Sequence, residues 1–449
     1  VTVGREVLVI GGGIAGLAAA REVLRRGGEP LVLEAADRAG GYVRTESWNG
    51  TVLELGPQGF LAERPGVLDA AEQLGLEAEL LPASDVARVR YLLHGGSLRA
   101  LPMSPPDLLR TGLLSPLGKL RLLAEPWAKG PDGAAPESVH AFAARRIGRE
   151  AAEVLVDAAV TGIFAGDPRA LSVDACFPKM TAMEREHGGL FRAMRARKKQ
   201  GASPFGKRLT SFRSGFEELV GALRRELGDR VRLASAVSGI ARDGSGWRVT
   251  ANGAAHEAGA LVVATPAPVT AALLEPAAPR VAALAREIRS ADVAVCGLLF
   301  SRGAVEHPLD GYGYLVPGGR HPILGCLFES SVFPNRAPEG RVLLRVLLGG
   351  ARNPAAAQGS PDEIVARAVA ALREPLGLRG EPDAARVIVH PGAIPQYDLG
   401  HPARLAALER ETAALPGLVP AGASWRGVAV NHLVADAGRV AEAALTKPA

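Results

Sequence analysis

The run Val7-Leu8-Val9-Ile10-Gly11-Gly12-Gly13-Ile14-Ala15-Gly16 sets an unbroken apolar stretch directly before a Gly-x-Gly-x-x-Gly turn. Such a stretch suits a strand buried on both faces. Residues 14–26 are rich in Ala and Leu and end in Arg, which predicts a helix, and Pro30-Leu31-Val32-Leu33 predicts a second strand that ends at the acid Glu34. Together these make a βαβ unit in which each part has a task in holding a dinucleotide. Gly11 permits the tight turn, Gly13 lets backbone amides approach a pyrophosphate, and Gly16 lets the helix close on the strand. The N–H groups at the helix start, around Ile14 and Ala15, face the anion. Glu34 stands where its carboxylate accepts the ribose hydroxyls, and an acid there disfavours a 2′-phosphate. The expected cofactor is therefore FAD or NAD rather than NADP. By itself the glycine run would also fit a plain tight turn in a Gly-rich chain; the flanking strand, helix and acid give it meaning.

The length of 449 residues predicts two or three domains. Hydrophobic residues at 47% and charged residues at 22% exclude a disordered or collagen-like chain. A net charge of +5 and an aromatic content of 4% argue against a nucleic-acid partner. Cys176, Cys296 and Cys326 are widely spaced, with no Cys-x-x-Cys pair, so neither a disulfide scaffold nor a bound metal is expected. The longest uncharged stretch, residues 258–274, is interrupted by Pro266 and Pro268 and makes a poor membrane span. No secretory leader pattern precedes the first strand. The expected location is cytoplasmic, with peripheral contact at the inner face of the cell membrane left open.

Beyond Glu34 the chain reads Ala35-Ala36-Asp37-Arg38-Ala39-Gly40-Gly41-Tyr42, and then Glu54-Leu55-Gly56-Pro57. The Gly40-Gly41 pair offers a second close backbone approach, useful when a bulky dinucleotide extends past the first helix. This extended signature resembles that of the flavin amine oxidase, protoporphyrinogen oxidase and phytoene desaturase superfamily. The resemblance implies a two-domain flavoprotein in which Arg38, Gly40, Gly41, Gly56 and Pro57 join the glycine turn and Glu34 in holding FAD. A second Gly-x-Gly-x-x-Gly turn is absent, so a separate NAD(P)H pocket is not expected, and electrons should pass to oxygen or a quinone.

Residues 88–101 predict two short strands around Gly95-Gly96, and residues 102–199 predict helices divided by prolines. A helix is expected over 211–227, strands over 231–243, 247–250 and 260–265, and strands of a second sheet over 293–300, 312–316, 323–329 and 342–348. A helix over 361–376, a strand over 418–423 and a helix over 431–445 follow. The expected fold class is α/β: a Rossmann-like FAD-binding domain discontinuous in sequence (residues 1–85, 209–270 and 415–449), a mixed-sheet substrate domain (86–101 and 271–414), and a helical, membrane-facing insertion (102–208).

Thr161-Gly162-Ile163-Phe164-Ala165-Gly166-Asp167-Pro168, Arg90-Tyr91-Leu92, Leu315-Val316-Pro317, Phe333-Pro334 and Ile394-Pro395-Gln396-Tyr397 before Gly400-His401 resemble, in this order, the motifs of the protoporphyrinogen IX oxidase family. The resemblance implies that Gly162 lies against a bound macrocycle and that Arg90 faces a propionate. It also implies that Leu315 and Phe333 pack the ring, with Arg90 and Gly162 nearest the chemistry. Ala421-Gly422-Ala423-Ser424-Trp425-Arg426-Gly427-Val428-Ala429-Val430-Asn431 is similar to the family's second FAD motif, so Trp425, Gly427, Val428, Val430 and, upstream, Val237 complete the implied cofactor contacts. His432 stands where the family has an acid. With no Cys after Cys326, a cysteinyl flavin bond in this motif is impossible and FAD should be non-covalent.

The implied activity is the oxygen-dependent, six-electron oxidation of protoporphyrinogen IX, with hydride passed to FAD and H2O2 formed. An apolar pocket with few polar anchors suits a tetrapyrrole, and Arg90 can pair with a propionate in bidentate fashion. Coproporphyrinogen III is the alternative substrate. A catalytically silent flavoprotein acting as a scaffold is the alternative of another class. Amine chemistry is disfavoured, because no Lys lies between Lys207 and Lys447 and Val428 stands where an aromatic residue is usual. In the blander reading Arg90 is an interface ion pair, and Leu315 and Phe333 are simple core. Residues 108–127 form a basic amphipathic stretch, and residues 192–213 hold a basic run without acids; both leave peripheral membrane contact open as a partner. A homodimer is likewise left open.

Overall fold

Why the first strand is apolar at every position is visible in its packing. Glu6–Ile10 lies inside a five-stranded parallel sheet ordered Val231–Arg232, Glu29–Leu33, Glu6–Ile10, Ala260–Val263, Leu418–Pro420. Val7 and Val9 point to one core, and Leu8 and Ile10 to another. On the first side pack the helices Ile14–Arg25, Glu217–Leu227 and Val430–Leu445. On the second lie the helices Ala267–Leu274 and Pro279–Arg286 and an antiparallel sheet of Val237–Asp243, Gly246–Ala251 and Ala254–Ala258. This computed structural model describes residues 6–446 apart from 132, 134, 200–207 and 245. Lys207, with the middle of the basic run, and Ser245, between the expected strands 231–243 and 247–250, lie outside the described residues.

A seven-stranded sheet is ordered Ala384–Pro395, Ser290–Ser301, Arg341–Gly349, Ile323–Leu327, Gly313–Leu315, Tyr91–His94, Ser97–Ala100. One face is covered by Pro361–Leu376, a helix that starts with a Ser360/Glu363 capping box and ends at Gly377 in the left-handed region. The other face turns toward Leu53, Leu55 and Ala165. Between residues 105 and 199 the described chain is mostly helical, with a π turn over Ala152–Val156 leading into Asp157–Phe164. Glu125 and Arg146, both fully buried, pair inside this region, and the Glu125 carboxylate also accepts from Leu190 N at 2.7 Å and Phe191 N at 3.0 Å, which fixes the start of Leu190–Lys199.

The structure corrects several expected elements. The expected strand 231–243 is two: Val231–Arg232 joins the parallel sheet and Val237–Asp243 leaves it. The expected helix 211–227 begins only at Glu217, because Leu209–Phe212 is a strand, Gly215 adopts φ +111°, and Phe216 stacks on both Phe60 and Phe212. The expected strand 323–329 stops at Leu327, and Glu329–Val332 turns into a short helix. The edge strand Ala384–Pro395 was not expected. Its Pro391-Gly392 pair lies where the ladder shifts register opposite Ala291 and Val293, a bulge that an edge strand tolerates.

Candidate functional site

At the carboxyl end of the first strand Gly11 makes a tight turn and Gly16 lets the helix close on the strand. A Cβ on Gly16 would lie 2.0 Å from Gly11 O, and one on Gly11, which has φ +100°, 2.9 Å from Ala264 O, so neither position admits a side chain. A Cβ on Gly13 would meet nothing nearer than Gly41 Cα at 3.9 Å, which leaves its outer face open. Gly40 N donates to Gly12 O at 2.8 Å, seating the double-glycine loop on the glycine turn. The Glu34 carboxylate accepts from Gly12 N at 2.6 Å and from Ala36 N at 2.8 Å. Ser235 N reaches Glu34 O at 2.7 Å, bringing the segment that leads into Val237 beside this acid.

Arg38 is committed elsewhere than its expected role: its guanidinium donates to Gly41 O at 2.9 Å, Val43 O at 2.6 Å and Glu217 at 2.9 Å. It shapes the loop and ties it to Glu217–Leu227. Gly56 passes so close to Tyr42 that a Cβ would sit 1.8 Å from Tyr42 O, and Pro57 is half-buried after it.

The second motif meets the first. Gly422, at φ +93°, lies against Ala15, its would-be Cβ 3.8 Å from Ala15 Cβ. The Trp425 indole, expected at the cofactor, is instead 1% exposed within the core under the parallel sheet. Its indole Nε1 is buried without a partner, and its backbone N–H and C=O are engaged by Gly422 O and His401. Gly427, at φ +71°, is pressed on His432, Val428 packs partly buried near Phe164 and Tyr397, and Val430 opens the helix Val430–Leu445. Both Ile14–Arg25 and Val430–Leu445 start without a side-chain cap and without an acid in the first turn. Two uncapped helix starts, an open glycine cradle and a carboxylate at the second strand's end fit a dinucleotide that carries a pyrophosphate and an electron-accepting ring.

The substrate side is built on sheet register. Leu92, Leu315, Gly325, Leu347, Val295 and Ile388 stand in one row across six strands and share a face. Gly325 leaves a notch between Leu315 and Leu347, both only partly buried. Above Leu315 runs Asp157–Phe164, where Val160, Thr161 and Phe164 are buried but Gly162 and Ile163 are open to solvent. A Cβ on Gly162 would lie 2.9 Å from Leu315 Cδ1. The structure thus brings Gly162 and Leu315 together. Asp157 fixes this helix: its carboxylate accepts from Arg352 at 2.6 and 2.8 Å and from Gly318 N at 3.0 Å. Burial pushes the Asp157 carboxyl up, but the Arg352 guanidinium and the Gly318 N–H outweigh it and hold the group below the usual range.

Arg90 is exposed, forms no ion pair among the described residues, and lies over the Tyr312 ring with its guanidinium carbon 5.4 Å from the centroid. The ion-pair reading of Arg90 therefore fails. Tyr312 accepts from Gln58 Nε2 at 2.6 Å, and Gln58 Oε1 accepts from Arg345 at 2.6 Å, beside the buried Glu329. With its lone pair engaged by Gln58, the Tyr312 O–H remains free to donate. Phe333 differs from expectation: it is fully buried with Ala83, Ala87 and Val332 and has no surface to offer a ligand, so it backs Tyr312 rather than lining the face. Nearby, burial raises the Glu54 carboxyl to about 7 against the opposing pull of Arg336 and the Thr45 hydroxyl.

Tyr312, Leu347 and the Gln58–Arg345 pair were not singled out from sequence. Leu347 lies among the apolar residues of Arg341–Gly349 with nothing local to distinguish it from Leu343, Leu344 and Leu348, and its place beside the notch follows only from pairing with Gly325. Among the described residues no cluster of His, Cys, Asp and Glu could hold a metal, and no helix is long and apolar enough to cross a membrane.

Comparison with known proteins places this geometry in context. A family profile described as flavin containing amine oxidoreductase matches residues 14–445. The chain is similar to protoporphyrinogen oxidase of Homo sapiens, 36% identical with 98% of each chain covered. It is also similar to coproporphyrinogen III oxidase of Bacillus subtilis (strain 168), 29% identical with 97% of each chain covered. A crystal structure from Exiguobacterium sp. 255-15, provisionally described as a protoporphyrinogen oxidase, superposes with a TM-score of 0.85 at 25% identity over 98% of each chain.

Proposed function

The chain belongs to the flavin containing amine oxidoreductase family, and from that premise we propose that it oxidises protoporphyrinogen IX to protoporphyrin IX as an FAD-dependent oxidase. The observation that carries the reading is the pairing of the open Gly162 helix with Leu315 over one sheet face, together with an Arg90 guanidinium that no carboxylate engages among the described residues. FAD held in this cradle would supply a two-electron acceptor for hydride from the macrocycle, with oxygen as the final oxidant. Six electrons and six protons leave the substrate in all, which balances three O2 reduced to three H2O2.

The chain's own groups supply binding and orientation. Arg90, backed by Tyr312, pairs with a propionate carboxylate. Leu315 and Leu347 flank the Gly325 notch and pack the apolar ring system, while the exposed backbone of Gly162 orients the pyrrole N–H groups. The glycine turn and the start of Ile14–Arg25 hold the pyrophosphate, Glu34 the ribose, and the start of Val430–Leu445 the flavin ring. The three-part division into FAD, substrate and helical domains belongs to the same proposal. Coproporphyrinogen III is the second substrate reading, favoured by the near full-length likeness to the Bacillus enzyme.

Peripheral membrane contact is proposed for the helical region. Leu109, Leu117, Leu120 and Trp127 are 63%, 79%, 64% and 80% exposed, while Leu113, Leu114 and Leu122 of the same stretch are buried. Exposed apolar side chains beside Arg110 and Lys119 suit an anionic lipid surface. Anaerobic titration of the FAD-loaded protein with each porphyrinogen, followed by flavin absorbance, tests the assignment. Bleaching by protoporphyrinogen IX is expected, and a flavin that neither porphyrinogen reduces would overturn it.

A further inference from the structure

The Ile394-Pro395-Gln396-Tyr397-Asp398-Leu399-Gly400-His401 run closes the long edge strand and opens the helix His401–Ala413. It contributes three buried polar side chains, Gln396, Tyr397 and His401, at 5%, 2% and 1% exposure. Gln396 Nε2 donates to Phe164 O at 2.8 Å, a carbonyl at the end of the Gly162 helix that has no partner within that helix. The Tyr397 hydroxyl donates to Ala423 O. His401 Nε2 lies 3.0 Å from Trp425 O, and a carbonyl can only accept, so this nitrogen carries the proton. The other ring nitrogen, Nδ1, is buried without a partner, as a neutral imidazole's acceptor can be but a charged ring could not be without large cost. The Tyr397 and His401 rings stack at 4.1 Å and 15°.

These bonds join two places that belong to different halves of the site. Phe164 lies two residues past Gly162, over the substrate face. Ala423 and Trp425 lie in the loop that leads to the uncapped start of Val430–Leu445. Backbone contacts stiffen the junction: Ser172 N donates to Tyr397 O at 2.8 Å and Gln396 N to Arg289 O at 2.8 Å. Gly166 is compressed against Gln396, its would-be Cβ 2.5 Å from Gln396 Oε1. Apolar side chains would fill the same volume at lower desolvation cost.

We propose that Gln396, Tyr397 and His401 are positioning residues that hold the Gly162 helix and the flavin-bearing loop at a fixed spacing, so that the substrate's methylene carbons meet the flavin at hydride-transfer distance. The proposal rests on the flavoenzyme reading above. Tyr397→Phe removes one hydroxyl with little change in volume. His401→Leu removes the donor to Trp425, and His401→Gln returns an N–H donor in place of Nε2.

The experiment measures two things on FAD-loaded protein: the rate of flavin bleaching by anaerobic porphyrinogen per bound flavin, with dithionite reduction as the substrate-independent control, and the FAD dissociation constant. Tyr397→Phe and His401→Leu are expected to slow bleaching by substrate about 10- to 100-fold, the cost of misplacing reacting groups by about 1 Å. Dithionite reduction should be unchanged, FAD affinity lowered, and His401→Gln close to the parent on all counts. Variants that melt earlier yet bleach at the parent rate per bound flavin would overturn the proposal. If the parent itself is not reduced by any porphyrinogen, the functional reading has failed, and unchanged FAD affinity in Tyr397→Phe and His401→Leu would then overturn this one separately.

Discussion

Replacing Gly162 by Ala is the most direct probe of the substrate face. The new methyl would lie 2.9 Å from Leu315 Cδ1 and 3.3 Å from Cδ2, whereas carbon atoms in ordinary contact are about 3.5–4.0 Å apart. Leu315 must therefore swing away by roughly half an ångström to one ångström, which as the far end of a flexible side chain it can do. The fold should tolerate this. Gly→Ala inside a helix contributes about 0.5–1 kcal/mol, and an off-rotamer Leu costs about the same, so Tm should stay within about 2 °C. The site should not tolerate it, because both the methyl and the displaced Leu315 enter space that the macrocycle needs. Overpacking of this kind costs about 1–3 kcal/mol, so KM for protoporphyrinogen IX should rise about tenfold or more, with FAD content unchanged. Steady-state kinetics with calorimetry on the same preparations measure both quantities. Adding Leu315→Ala should recover part of the lost affinity, since the partner that was forced to move is gone. Unchanged KM in Gly162→Ala, or no coupling to Leu315→Ala, would refute the reasoning.

Other perturbations follow from the same geometry. Arg90→Ala should raise KM for the acid substrate by about tenfold or more with kcat little changed, and Tyr312→Phe should do the same more weakly; equal KM values would remove this corner from the site. Burial lowers the His401 imidazole to about 4 from 6.5, so the unfolded chain binds a proton there that the folded chain refuses. Stability is then lost as pH falls from 6.5 toward 4, by up to about 3 kcal/mol, and denaturation curves of His401→Gln should lack that slope. Glu54 works in the opposite sense: raised to about 7, it favours the folded state while protonated, so stability falls as pH rises from 4.5 through 7, and Glu54→Gln should flatten that decline. Leu117→Asp with Trp127→Ser should lower co-sedimentation with anionic vesicles at low salt while leaving activity toward detergent-dispersed substrate intact; no binding by the parent would refute the lipid-surface reading.

Much of the nucleotide half could be read directly from residues. Strand, glycine turn, helix and Glu34 are contiguous, and a contiguous unit declares itself through local spacing. Gly162 and Leu315 were also legible, because each sits in a motif. Arg38 and Trp425 show where that legibility ended. Both occur in the expected motifs, yet Arg38 spends its guanidinium on two loop carbonyls and Glu217, and Trp425 turns its ring into the core. A motif constrains the backbone path; side-chain direction depends on neighbours hundreds of residues away. Phe333 failed for the same reason, since its burial is set by Ala83 and Ala87. Tyr312 and Leu347 could not have been found without the sheet order, because Gly313–Leu315 pairs with Ile323–Leu327, which in turn pairs with Arg341–Gly349 across a register shift that no local pattern records.

The parallel sheet also has a temporal side. Ile14–Arg25, the first helix of the cradle, is covered by Val430–Leu445, and the strand Leu418–Pro420 borders Ala260–Val263. During synthesis at about 5–20 residues per second, the first helix must wait roughly 20–80 s for its cover. Over that interval Leu17, Ala20 and Val23, buried in the finished protein, have no late helix to pack against. The cradle is therefore complete only once Val430–Leu445 has been made, and its two helix starts come together no earlier than that.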